Sequence, residues 1–115
     1  MTAIRIGAAS RIINNDIGRP VQGASVDNVA QSIRDDCEAN ALFLGDDSTS
    51  VLLISCDLCG LEFRFVEPIC TAIAAATGIA PRNIIIAGTH MHSGPSLLRT
   101  NYWKPIDIAY IERLH

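Results

Sequence analysis

No stretch of this sequence is long and apolar enough to cross a bilayer as a helix. The longest apolar runs, Val51-Leu52-Leu53-Ile54 and Ile84-Ile85-Ile86-Ala87, have strand length and fall far short of the ~20 residues a span requires. Aromatic residues make up only 5%, which argues against a sugar- or base-stacking surface. Basic residues are also sparse. Nine Lys and Arg are scattered without a run against twelve Asp and Glu, for a net charge of −3. A nucleic-acid binder usually carries a basic stripe, so the composition argues against that class. No apolar run of the secretory type lies between Arg5 and Arg11, so no signal peptide is visible. The expected location is cytoplasmic if Met1 is the true start. The four cysteines, Cys37, Cys56, Cys59 and Cys70, are then expected to be reduced, with Cys56 and Cys59 packed in or near the core.

What remains is a chain of 115 residues that is 49% hydrophobic and 18% charged. That is one domain at most, with enough apolar side chain for a core. Residues 3–7 alternate as a strand that resumes near Ile12 and Ile13. Residues 14–24 are turn-rich. Val26, Val29, Ile33 and Cys37 fall at helical spacing, which predicts a helix over 26–37. Ala41–Leu44 and Val51–Leu58, joined by Gly45–Ser50, read as a hairpin. Residues 62–77 are the clearest helix, with Phe65, Val66, Ile69, Cys70, Ile73 and Ala76 on one face and Gly78 as its stop; Pro68 is awkward within it. Residues 83–88 read as a buried strand, and 106–115 begin another amphipathic helix. The expected fold is α/β. A mixed sheet contains a parallel βαβ unit (strand 51–58, helix 62–77, strand 83–88) beside an N-terminal hairpin region, and the domain is expected to be incomplete.

In such a unit ligands gather beyond the carboxyl ends of the strands. Those ends here are Asp57 and the segment Thr89-His90-Met91-His92. In an extended segment residues i and i+2 share a face, so His90 and His92 could present both imidazoles to one metal ion. Zinc favours imidazole, but a catalytic site needs about three protein ligands and an open position. Two polar loop histidines are the plain alternative. Asp57 reads either as a cap for nearby backbone N–H groups or as the acceptor for the far ring N–H of a ligating histidine. Cys56 and Cys59 have C-x-x-C spacing, which suits a redox pair only if a neighbouring helix lowers a thiol pKa; small buried hydrophobes fit as well. Gly18–Gly23 lacks the strand and helix context of a phosphate loop.

One family fits these residues in order. Ile86-Ala87-Gly88-Thr89-His90-Met91-His92-Ser93-Gly94-Pro95 resembles the GTHTHSGP signature of the neutral/alkaline non-lysosomal ceramidases. Leu53–Leu61 resembles their LVSxDLxGL strand, and Thr77–Ile84 their TGIPPENV turn. Ile6–Ala9 and Ile17–Gly23 are similar to the family's first strand and glycine loop. The resemblance implies that residues 1–115 are the N-terminal part of a ceramidase-like zinc hydrolase domain. It further implies a zinc amidase that cleaves the N-acyl bond of ceramide or a related lipid amide, with His90 as a zinc ligand and His92 beside metal and substrate. Asp57 would assist from behind. Met91 replaces the usual Thr. The remaining ligands of the family, a His, a Glu and a Tyr, lie far downstream, and His115 does not match any of them. The chain is therefore expected to be a fragment without turnover of its own. The alternative is a non-catalytic α/β module that keeps the family core without a complete metal site.

Overall fold

A computed structural model of the chain describes residues 3–23, 27–99 and 106–114. Four strands make the main sheet: β1 (Arg5–Ile12), β3 (Glu38–Gly45), β4 (Ser50–Cys56) and β5 (Ile84–Gly88), side by side in the order β1-β3-β4-β5. A short antiparallel pair, β2 (Val21–Gln22) and β6 (Gly94–Pro95), lies apart from it. Helices α1 (Phe63–Thr77) and α2 (Ile108–Leu114) complete the described elements. The fold is thus α/β with a mixed sheet, as the apolar runs predict. No described helix is long and apolar enough to cross a membrane.

The hairpin between β3 and β4 is set by its turn. The Asp46 carboxylate accepts hydrogen bonds from the Ser48 and Thr49 N–H groups and the Ser48 hydroxyl, all at 2.8 Å. Those bonds, led by the Ser48 N–H, hold its pKa below the usual carboxylate range. Such an Asx turn closes the chain and fixes the register Gly45↔Ser50. From β4 the chain crosses through α1 and returns parallel as β5, with Leu52 opposite Ile84 and Cys56 opposite Gly88. Gly78 ends α1 in the left-handed conformation (φ 76°) and donates its N–H to the Ala74 carbonyl, a stop that only glycine makes cheaply. Pro68 lies inside α1 and removes one backbone donor there.

One sheet face packs beneath α1. Cys70, Ile79 and Ile84 are its buried centre, with Phe43, Leu52, Val66, Ile73 and Ala74 around them. Ala74 points inward where the helical spacing suggests Ala76, which is exposed. A second cluster gathers Ile13, Cys56, Leu58, Leu97, Tyr110 and Ile111, joining α2 to the carboxyl end of the sheet.

The expected helix over 26–37 is a correction. Val26 lies outside the described residues, and 27–37 form a turn and irregular chain. Their backbone groups are claimed by the segment before β2: Val29 bridges Pro20, the Gly18 N–H donates to the Ala30 carbonyl, and the Ala30 N–H donates to the Arg19 carbonyl. Long-range pairing overrides a weak local pattern here. The C-terminal helix begins at Ile108, with Asp107 as its cap, and His115 lies outside the described residues.

The opposite sheet face carries Ile6, Leu42, Leu44 and Ile85. Cross-strand partners put them together: Ile6 faces Leu44, and Leu42 and Ile85 both flank Leu53. Ile6 is 70% and Ile85 55% exposed. A contiguous apolar face of this kind drives association. The chain by itself is expected to self-associate, and Ile6→Lys with Ile85→Lys to lower its average mass in sedimentation. Because both positions are exposed, the unfolding free energy should move by less than about 0.5 kcal/mol per substitution.

Candidate metal centre

The ends of β4 and β5 lie next to each other, and the segments that leave them run on together. The Thr89 N–H donates to the Cys56 carbonyl at 2.9 Å, and the His90 N–H to the Leu58 carbonyl at 3.0 Å. This proximity tolerates no side chain at Gly88, where a Cβ would lie 2.8 Å from the Leu58 oxygen. The turn at 57–60 and the signature loop are therefore one unit.

His90 is the best-held residue in it. Its backbone is left-handed (φ 65°), so the extended geometry expected for 90–92 does not occur. The two imidazoles meet by another route. Their ring centroids lie 4.7 Å apart at an interplanar angle of 68°. His90 Nδ1 lies 2.8 Å from the Cys59 carbonyl oxygen. A carbonyl can only accept, so Nδ1 carries a proton, and in the neutral imidazole Nε2 keeps its lone pair. Histidine ligands of metals are commonly held in this way.

Asp57 does not supply that hydrogen bond. Its carboxylate accepts the Glu38 N–H at 3.0 Å and the Thr89 hydroxyl at 3.2 Å, while its own N–H donates to the Glu38 carbonyl. Asp57 thus pins the start of β3 to the signature loop. The sequence shows side chains and not which carbonyl a turn will present, so the Cys59 oxygen was not foreseeable as the partner of His90.

The donor atoms of Cys59, His90 and His92 all lie within 4.8 Å of one another. Two imidazoles in one reach suit zinc, but Cys59 does not complete the set with them. Its sulfur lies 3.8 Å from His90 Nδ1, the nitrogen turned to the Cys59 carbonyl. The thiol is buried, and burial raises its pKa. His90 fits as one of the about three protein ligands of a zinc site, with His92 alongside. Cys59→Ser should accordingly leave zinc affinity within about threefold, well short of the ~10–100-fold that an outer partner of a ligand typically controls; competition against a chromophoric chelator measures it.

The redox reading of Cys56 and Cys59 loses its support here. All four cysteines are free. Burial raises the Cys56 thiol as it does Cys59, the reverse of what a reactive thiolate needs. Met91 and Ser93 flank His92 in sequence and line a cleft of about 560 Å³ together with Asn14, Asn28, Gln31 and Cys37. Met91, where the family signature has Thr, therefore borders a mostly polar space.

No protein-family model matches the chain, and no curated protein matches it. Among solved structures it is similar to the crystal structure of neutral ceramidase from Pseudomonas aeruginosa, with a TM-score of 0.73 and 20% identity, over 84% of this chain and 16% of that one. It is also similar to a ceramidase complexed with C2, with a TM-score of 0.70 and 19% identity over the same shares. The chain has the neutral ceramidase fold over that span, and it covers 16% of the length of either protein.

Proposed function

We propose that this chain is the N-terminal part of a zinc-dependent hydrolase of the neutral ceramidase type, acting on the N-acyl bond of ceramide or a related lipid amide. The observation that carries the reading is the state of His90: Nδ1–H is tied to the Cys59 carbonyl, Nε2 is free, and a second imidazole lies against it at the carboxyl ends of two parallel strands. That arrangement on a ceramidase fold supports His90 as the zinc ligand. When bound, zinc supplies electrophilic activation of an amide carbonyl and of water.

The chain's own residues have separate tasks. His90 would hold the metal through Nε2. His92, packed against it and exposed, orients substrate and carries a proton at its ring nitrogens. Asp57 acts through Thr89 and Glu38, keeping the signature loop against the sheet. The cleft beside Met91 and Ser93 offers amides to the polar part of a lipid amide. The missing ligands are assigned to the polypeptide that continues this chain in the full protein.

The test compares this chain with a form extended through downstream His, Glu and Tyr residues, measuring bound zinc and fatty-acid release from an N-acyl sphingosine with and without chelator. The extended form is expected to hold about one zinc and to lose turnover with chelator, while the short chain binds zinc weakly and does not turn over. An extended form that folds without zinc and without turnover would favour the non-catalytic module. Chelator-sensitive turnover by the short chain at a similar rate would show the site to be complete within residues 1–115.

A further inference from the structure

The two histidines are held differently. His90 is tied by a hydrogen bond, but among the described residues the ring nitrogens of His92 make none. What touches His92 is the glycine loop. Gly23 has φ 109°, and a Cβ built on it would lie 2.5 Å from the His92 Cα and 2.6 Å from its Cβ and Cγ. Only the α-hydrogens of a glycine leave room for that approach. The contact is imposed by the pairing beside it. Val21 and Gln22 are registered against Pro95 and Gly94. The buried Gln22 amide donates to the Leu98 carbonyl and accepts the Leu98 N–H at 3.2 Å. This clamp, just beyond the signature loop, sets Gly23 against His92.

We propose that Gly23 is a positioning residue that forms the seat of His92 and holds its imidazole edge-on to His90. The seat is a property of the fold; its importance for catalysis rests on the hydrolase reading above. The argument comes with an internal control. Gly18 is also left-handed (φ 83°), but a Cβ there would meet nothing within 4 Å. Gly18→Ala therefore imposes backbone strain alone, and Gly23→Ala imposes strain together with displacement of His92.

The experiment uses the metal-free full chain labelled at histidine and glycine. In the unsubstituted protein, NMR should show cross-relaxation between the Gly23 α-protons and the His92 ring. In Gly23→Ala, the ring-current shifts of both His90 and His92 should collapse toward free-histidine values, while Gly18→Ala keeps them. Cobalt(II) titration should then show affinity lowered about tenfold or more in Gly23→Ala and within about twofold of the parent in Gly18→Ala. No cross-relaxation in the unsubstituted protein, or identical behaviour of the two variants, overturns the proposal. If Gly23→Ala does not fold, the cross-relaxation measurement decides alone. If the unsubstituted chain shows the seat and the shifts respond, yet cobalt does not bind, the seat stands and only the metal reading fails.

Discussion

His90→Ala is expected to abolish specific zinc binding and, in the full protein, chelator-sensitive hydrolysis. Loss of an outer partner typically lowers metal affinity ~10–100-fold, and loss of the ligand itself should exceed that range. The expectation follows from the geometry. His90 is the imidazole whose tautomer is fixed, through Nδ1–H to the Cys59 oxygen, and whose backbone is anchored to the Leu58 oxygen. His92→Ala should be milder in metal affinity and should act more on turnover. The check is zinc content after dialysis together with the cobalt(II) absorption spectrum of each variant. Equal retention of metal by His90→Ala and the parent would remove His90 from the site. Stability should fall by only about 1 kcal/mol, because His90 is exposed and the substitution removes one hydrogen bond, that to the Cys59 carbonyl.

Asp107 is expected to control the attachment of α2. Its side chain is fully buried and accepts a two-pronged hydrogen bond from Arg19, 2.8 Å from Nε in one arm, while also accepting the Tyr110 N–H at 3.1 Å. It therefore caps α2 and ties it to the turn before β2. Asp107→Ala should lower stability by about 2–3 kcal/mol, roughly 1 from the cap and the rest from the charge-assisted bonds. That is a large share of the ~5–15 kcal/mol typical of a domain. Asp107→Asn keeps a capping oxygen and should lose less. The Arg19 hydrogen bond is the largest influence holding the Asp107 carboxyl below its usual range. A depressed folded pKa contributes stability above the unfolded value near ~3.9 and loses it as pH falls through the folded one. Denaturant unfolding of the parent should thus weaken below about pH 4, with a shallower acid limb in Asp107→Asn. An unchanged acid limb would show that another carboxylate governs it.

The parts of this fold that were legible in the sequence are those governed by local rules. Strand-length apolar runs marked β4 and β5, helical spacing and Gly78 marked α1, and the Gly45–Ser50 segment marked the hairpin. The signature around His90 was legible as a resemblance, and the parallel pairing of Cys56 with Gly88 puts it at the rim where the βαβ reading expects it. What was not legible depends on contacts between distant residues. The segment 27–37 gave up helical spacing for a bridge to Pro20. Asp57 turned toward Glu38 and Thr89. Arg19 found Asp107 across most of the chain. The approach of Gly23 to His92 left only a glycine in a glycine-rich loop as its trace, a signal shared with many ordinary turns.

The candidate metal centre stands on β5, and among the described residues β5 has one strand neighbour, β4. A strand held on one side opens more readily than one held on both. Its amide hydrogens should exchange with solvent through local excursions that leave β1, β3 and β4 intact. Each such excursion carries Thr89 and His90 away from the carbonyls of Cys56 and Leu58 that anchor them. Fraying of the edge and dissolution of the site are then the same event. A ligand bound at His90 would act as a clasp on the sheet margin, slowing exchange at residues 84–88 by its own occupancy while leaving the interior strands at their intrinsic rates.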